Sequence, residues 1–205
     1  MSLRSVVVLR DATEDLAKLD FQNLALAREN QQLVRTMSII RAIQERIQEA
    51  ATVDDLYTST VRTLTSDLPM DCAALLDVDI KTRRVRALAS KGLPRISQNI
   101  RLNRFSSGGE LLKPAFVNSS SSLRPLDAHI VEAFGCPFFL WYPMTNEEGG
   151  AMVMYVGNKT EALLLKRPFS NASLETIGTI AAVVLLRRDR IVKYAYALDS
   201  EKHYM

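Results

Sequence analysis

The chain has 205 residues, 47% of them hydrophobic and 24% charged, with a net charge of +3. That length can bury one sizeable core, and the balance is that of a soluble globular protein rather than a fibrous or disordered one. The charge gives no case for nucleic acid: Asp77, Asp79 and Asp189 sit among or beside the basic clusters at 81–86 and at Arg187, Arg188 and Arg190, with no interleaved aromatics for base stacking.

Residues 5–9 are a short β-branched run that predicts a strand, and Asp11 or Thr13 can then cap a long helix with Glu14 and Asp15 in its first turn. The run is far shorter than the apolar region of a signal peptide. Within the helix, expected over 13–49, Leu19, Leu26, Leu33, Ile40 and Ile47 stand seven residues apart, and Leu16, Asn23, Asn30, Met37 and Gln44 precede them by three. No Gly or Pro interrupts 11–52. Such a seam suits a second, identical helix, so the spacing predicts a parallel homodimer with Leu16, Leu19, Asn23, Leu26, Asn30, Leu33, Met37 and Ile40 at its interface. Asn at core positions weakens the seam but fixes its register. The alternative is an amphipathic helix lying on its own domain.

Residues 50–52 break the pattern. Thr52 with Asp55 resembles a capping box for a second helix through Leu56, Thr60 and Leu64, ended by Pro69. The continuous apolar run in 72–80 predicts a strand buried on both faces, turned by 81–83 into an antiparallel partner over 84–89 that ends at Gly92 and Pro94. Residues 95–123 read as loop, with short helical stretches at 109–113 and 119–122. So long an irregular stretch in a compact domain is expected to be a binding loop or lid. A short helix follows at 127–134, stopped by Gly135.

The central strands are 137–144 and 151–157, joined by a polar turn over 145–150. Phe138, Leu140 and Tyr142 alternate with Phe139, Trp141 and Pro143, so the sheet needs cover on both faces. The last helix, 173–196, repeats Ile177, Val184, Ile191 and Leu198 every seven residues, which adds the C-terminal helix to the expected homodimer. Cys72 and Cys136 form no CxxC and lie in apolar runs, the setting of reduced, buried thiols. Nothing approaches the apolar length of a membrane span, and the expected location is the cytoplasm.

This order of elements, from about Leu33 to Arg190, resembles a GAF domain. Local wording agrees: Leu75-Leu76-Asp77-Val78-Asp79 resembles the family's first strand, the strand ending at Pro143 is followed by Gly149-Gly150 and a second strand from Ala151, and Arg167-Pro168-Phe169-Ser170 resembles the approach to its last helix. The resemblance implies an α+β fold: an antiparallel sheet with helices on one face and a lid of loops and short helices on the other, plus the long N-terminal coiled-coil helix. Val6-Val7-Val8-Leu9-Arg10-Asp11-Ala12-Thr13 resembles the last strand and exit motif of a PAS domain, with Ala12 where Ile is usual. The expected organisation is therefore a PAS-like remnant at 1–13, a signalling helix at 14–49, a GAF domain at 50–188 and an outgoing helix at 189–205, cut from a larger bacterial sensor.

Such a module implies a non-catalytic sensor that binds a small molecule and relays its signal to an output domain, for example a histidine kinase or diguanylate cyclase. The alternative is a ligand-free structural dimerisation module. Asn158, Lys159 and Phe169 fit the first part of the family's cyclic-nucleotide signature, but Ser173 and Leu174 stand where its acidic pair would be. Neither cysteine has the neighbouring His of bilin attachment, and two cysteines in apolar settings do not fit the sulfoxide reductases known on this fold. No GxSxG, Walker loop or GxGxxG is present, Gly108-Gly109 alone is flexible backbone, and His129 and His203 are too few for a metal centre. No cofactor is identified from these residues. The ligand is expected between the sheet and the 95–135 lid, among Phe105, Ser107, Glu110, Phe116, His129, Phe139, Trp141 and Tyr155, with Ser106 and Asn118 as further polar groups.

Overall fold

Alternating apolar residues on two adjacent strands set the architecture, because each face of the sheet must be covered. A computed structural model describes residues 3–68, 70–94, 99–102, 108–118, 123–145, 151–160 and 168–202, with backbone alone at 3–17, 28–29, 32–33, 35–36, 99, 108 and 198–202. The chain divides into two units, Met1–Ile39 and Ile40–Met205.

The first unit holds most of helix α1 (Leu3–Gln48). Residues 5–9 are therefore helical and not a strand. A single β-branched run has no ladder to join, whereas continuation of the helix satisfies its backbone N–H and C=O groups within the segment. On the expected seam Leu19, Leu26 and Met37 are 54%, 57% and 70% exposed, with Asn23 and Asn30 exposed beside them and Ile40 half-buried. The side chains of Leu16 and Leu33 lie outside the described residues. Phe21 and Leu24 are also exposed, roughly 140–200° around the helix from Leu19 at about 100° per residue.

In the second unit Ile43 and Ile47, near the end of α1, are fully buried. The C-terminal end of the heptad thus serves the core of the chain's own domain, as the amphipathic alternative expected. Thr52 caps α2 (Val53–Ser66): its Oγ1 accepts from the Asp55 N–H at 3.1 Å and donates to Asp55 Oδ2 at 2.7 Å. Strands β1 (Cys72–Asp79) and β2 (Arg84–Lys91) form a hairpin, with a bulge between Leu75 and Leu76 that shifts the register. Asp79 Oδ1 accepts from the Lys81 and Thr82 N–H groups and fixes the turn, where Arg83 takes a φ of 59°.

The stretch expected to be loop contributes two further strands, β3 (Asn99–Arg101) and β4 (Ala115–Val117), besides a 3-10 turn at Gly108–Glu110. Both are edge strands of three residues, too short to show a period of two. Helix α3 (Pro125–Phe134) starts on a Pro and ends on Gly135 at φ 68°, the left-handed stop that glycine permits. Strands β5 (Phe138–Thr145) and β6 (Ala151–Asn158) follow, then helix α4 (Asn171–Lys202).

Among the described residues six antiparallel strands lie in the order β3-β2-β1-β6-β5-β4. Helices α2 and α4 cover one face, where Leu56, Val61, Leu64, Ile177, Ile180 and Val184 are buried. Gly178 lets α4 settle there, since a Cβ at that position would stand 2.7 Å from Tyr142 Oη. Ile177 and Val184, expected on a dimer seam, are thus core residues: over two repeats a heptad and an ordinary 3.6-residue stripe coincide. The side chain of Leu198 lies outside the described residues. The other face carries Ala74, Leu76, Val78, Val153, Tyr155, Phe139 and Trp141 under α3 and the neighbouring turns, which supply Leu111, Leu126, Ile130 and Phe134. The α+β sheet with helices on one face and a lid on the other is therefore present.

Candidate functional site on the lid face

The lid face is assembled from the pleat. Phe139, Trp141 and Tyr155 point to one side of β5 and β6, and the register puts Trp141 opposite Tyr155. All three are buried, and they meet α3 through Phe134: its ring centroid is 4.8 Å from that of Tyr155, which in turn lies 5.8 Å from Phe139. Trp141 Nε1 donates to the Leu111 carbonyl at 2.9 Å, which ties the segment after the 3-10 turn to the sheet. The rings are thus packed on one another. Offset and tilted pairs of this kind suit aromatic quadrupoles.

Tyr155 Oη and His129 Nδ1, on α3, are buried without a hydrogen-bond partner among the described residues. Burial pushes the Tyr155 hydroxyl well above its ordinary pKa, with the sulfurs of Cys72 and Cys136 adding to the rise. Both thiols are buried and free. Both crowd Gly157, and their interaction disfavours loss of the Cys72 proton and eases loss of the Cys136 proton against the opposing effect of burial. Gly157, the register partner of Cys72, makes the approach possible. A Cβ on Gly157 would stand 2.9 Å from both Cys136 Cβ and Tyr155 Oη, and 3.0 Å from Cys72 Sγ.

The remaining expected site residues divide. Glu110 is half-buried at the end of the 3-10 turn, and its charge helps hold Arg124 protonated, after the larger effect of Asp127. Arg124 grips the buried Asp127 with two bonds of 2.7 and 2.9 Å at the start of α3. Phe116 is not on the lid face: it pairs with Leu140 and so shares the helix side, while its neighbours Ala115 and Val117 pair with Trp141 and Phe139. A strand alternates, and without the register its direction is not visible. Phe105, Ser106 and Ser107 lie outside the described residues. Asn118 serves the fold, its amide bonding both the N–H (2.7 Å) and the carbonyl of Phe169 just before α4.

Asn158 and Lys159 are likewise engaged: Asn158 Oδ1 accepts from the Asp71 N–H at 3.3 Å, and the Lys159 N–H donates to Asp71 Oδ2 at 2.8 Å. On the helix side, Arg187 Nη2 donates to the Ala50 carbonyl at 2.8 Å, and Arg46 bonds both carboxylate oxygens of Asp67 at 3.1 and 2.9 Å. The joint between α1 and α2 is thereby tied to α4. Among the described residues no cluster of three or more His, Cys, Asp or Glu could hold a metal ion, and no helix is long and apolar enough to cross a membrane. The mutual approach of Cys72 and Cys136, and the clamp of Asn118 on Phe169, were not visible in the sequence, since each pair is far apart in the chain and no local pattern marks it.

No protein-family model and no curated protein matches the sequence. Solved structures do match the fold. The GAF domain of an Acinetobacter phosphoenolpyruvate-protein phosphotransferase superposes with a TM-score of 0.58 at 20% identity, covering 80% of this chain and 97% of that one. Free methionine-R-sulfoxide reductase from Neisseria meningitidis, in complex with its substrate, gives 0.63 at 12% identity, with 78% and 91% covered. The phycoerythrobilin-bound GAF domain of a cyanobacterial phytochrome gives 0.58 at 14%, with 78% and 97% covered. At these identities the likeness is one of fold, and the fold is that of GAF domains.

Proposed function

We propose that this chain is a non-catalytic sensory and dimerisation module of GAF fold. It takes a small molecule on the lid face of the sheet and passes the change through α1 and α4 to an output domain such as a histidine kinase or diguanylate cyclase. The observation that carries the ligand reading is the burial, without a hydrogen-bond partner, of Tyr155 Oη on the lid face of the sheet and of His129 Nδ1 on α3. Each such atom costs about 1–3 kcal/mol when left unsatisfied, and a ligand that bonds to them removes that cost. Arg187 on Ala50 and Asn118 on Phe169 support the relay, because they fasten the α1–α2 joint and the lid-side segment to α4 and to its approach. The exposed seam of Leu19, Leu26 and Met37 supports a parallel homodimer through α1. A cytoplasmic setting, a signalling helix over 14–49 and an outgoing helix beyond 188 complete this reading.

A ligand-free dimerisation module is the second reading, favoured by the packing of Phe134, Phe139 and Tyr155 on one another. Native mass spectrometry of the purified chain, with an absorbance scan for haem or bilin, separates the two. The ligand reading expects the mass of two chains plus a small-molecule increment that is lost on denaturation and is reduced in Tyr155→Phe and His129→Ala. A bare dimer mass would leave the structural module standing.

A further inference from the structure

The sequence contains two cysteines, and the fold brings both to Gly157 from distant places: Cys72 opens β1, and Cys136 follows the Gly135 stop of α3. Cys72 Sγ, Cys136 Cβ and Tyr155 Oη all crowd the space a side chain at 157 would fill, at 3.0, 2.9 and 2.9 Å from the position of its Cβ. Two small hydrophobes in a core need no hydroxyl beside them. Here the buried Tyr155 hydroxyl lacks a proper partner and faces two sulfurs, which are weak acceptors.

We propose that Cys72 and Cys136 are an oxidative modification site, at which hydrogen peroxide converts the thiol pair into an intrachain disulfide that fastens the α3–β5 junction to β1. The proposal is independent of whether a ligand binds. With Cys136 as the attacking sulfur, the Cys72 S–H is the neighbour that stabilises its thiolate, and the reverse order of attack leads to the same disulfide. The thiolate attacks one peroxide oxygen, the O–O bond breaks, and the departing hydroxide takes up a proton to leave as water, giving Cys136 sulfenic acid. The Cys72 sulfur then attacks Cys136 Sγ: the S–S bond forms, the S–O bond breaks, and hydroxide departs with the Cys72 proton as a second water. Two thiols lose two electrons and two protons, and one peroxide becomes two waters. Full burial of both sulfurs restricts the oxidant to a molecule not much larger than water, so a bulky disulfide such as oxidised glutathione is excluded.

The test uses the reduced, folded full chain, exposed to hydrogen peroxide, then denatured and alkylated with N-ethylmaleimide before intact-mass and peptide analysis. The expected product is a monomeric polypeptide lighter by two hydrogens, unalkylated, carrying a Cys72–Cys136 cross-link and restored by dithiothreitol. Oxidised glutathione is expected to give no adduct. In Cys72→Ser, the Cys136 sulfenic acid is expected to persist and to be trapped when the peroxide-treated chain is denatured in the presence of dimedone. Full alkylation of both cysteines after peroxide, a disulfide only between chains, or a glutathione adduct on the folded protein would each overturn the proposal. The wild-type measurement requires no substitution, so misfolding of a variant cannot decide it.

Discussion

At Gly157 the absence of a side chain is a packing requirement, since three side chains already occupy the volume. Gly157→Ala is expected to destabilise the chain by about 1–3 kcal/mol in urea unfolding, the usual cost of overpacking a filled core. Asp79 acts through charge. The Thr82 side chain and N–H, with the Lys81 N–H, hold its carboxyl below the ordinary value. A group whose folded pKa is depressed contributes stability above its unfolded value, about 3.9, and loses it as pH falls through the lower folded value. Asp79→Asn should therefore lower the urea midpoint at pH 7, and the gap to wild type should close on acidification below about pH 4. A constant gap from pH 7 to pH 3 would remove Asp79 as the cause. Gly135 was readable because its partner, the Val131 carbonyl, is four residues away, and the role of Asp79 in the turn was not read, whereas Gly157 has a meaning only once Cys136 lies over it.

Elements that were legible have a local signal and a sufficient length. Thr52 with Asp55 marks a helix start within four residues, and alternation over eight residues of β5 fixes which side chains share a face. Strands β3 and β4 have three residues each, and their pairing comes from tertiary context. The strand expected at 5–9 failed for the converse reason, since β-branched residues favour a sheet only where one is at hand to receive them. Asn118 supplies the next prediction. Its amide bonds both backbone groups of the buried Phe169, much as a strand would. Asn118→Ala is expected to cost about 1–3 kcal/mol by leaving those groups unpaired, and to raise hydrogen exchange at the start of α4. Thr52→Ala should cost about 0.5–2 kcal/mol through loss of the α2 cap, without that exchange signature. Equal exchange in both variants would detach Asn118 from α4.

At the scale of the molecule, each of the two long helices divides its apolar residues between two uses. Ile43 and Ile47 of α1, and Ile177 and Val184 of α4, belong to the domain's own core, while Leu19, Leu26 and Met37 of α1 and Leu186, Tyr194 and Tyr196 of α4 are exposed. Heptad spacing alone does not separate these uses, because both need an apolar side chain about every second turn. A ligand on the lid face can act on an output only through its differential affinity for two helix arrangements, typically about 1–3 kcal/mol of coupling. In the proposed relay that coupling requires a partner helix, so the assembly of α1 is the point on which the proposal rests. Light scattering of the wild-type chain beside a Leu19→Glu, Leu26→Glu variant measures it directly, with circular dichroism as the control for folding. Two-chain mass for the wild type and one-chain mass for the folded variant are expected. A monomeric wild type, or a variant that remains dimeric, would contradict a relay through α1.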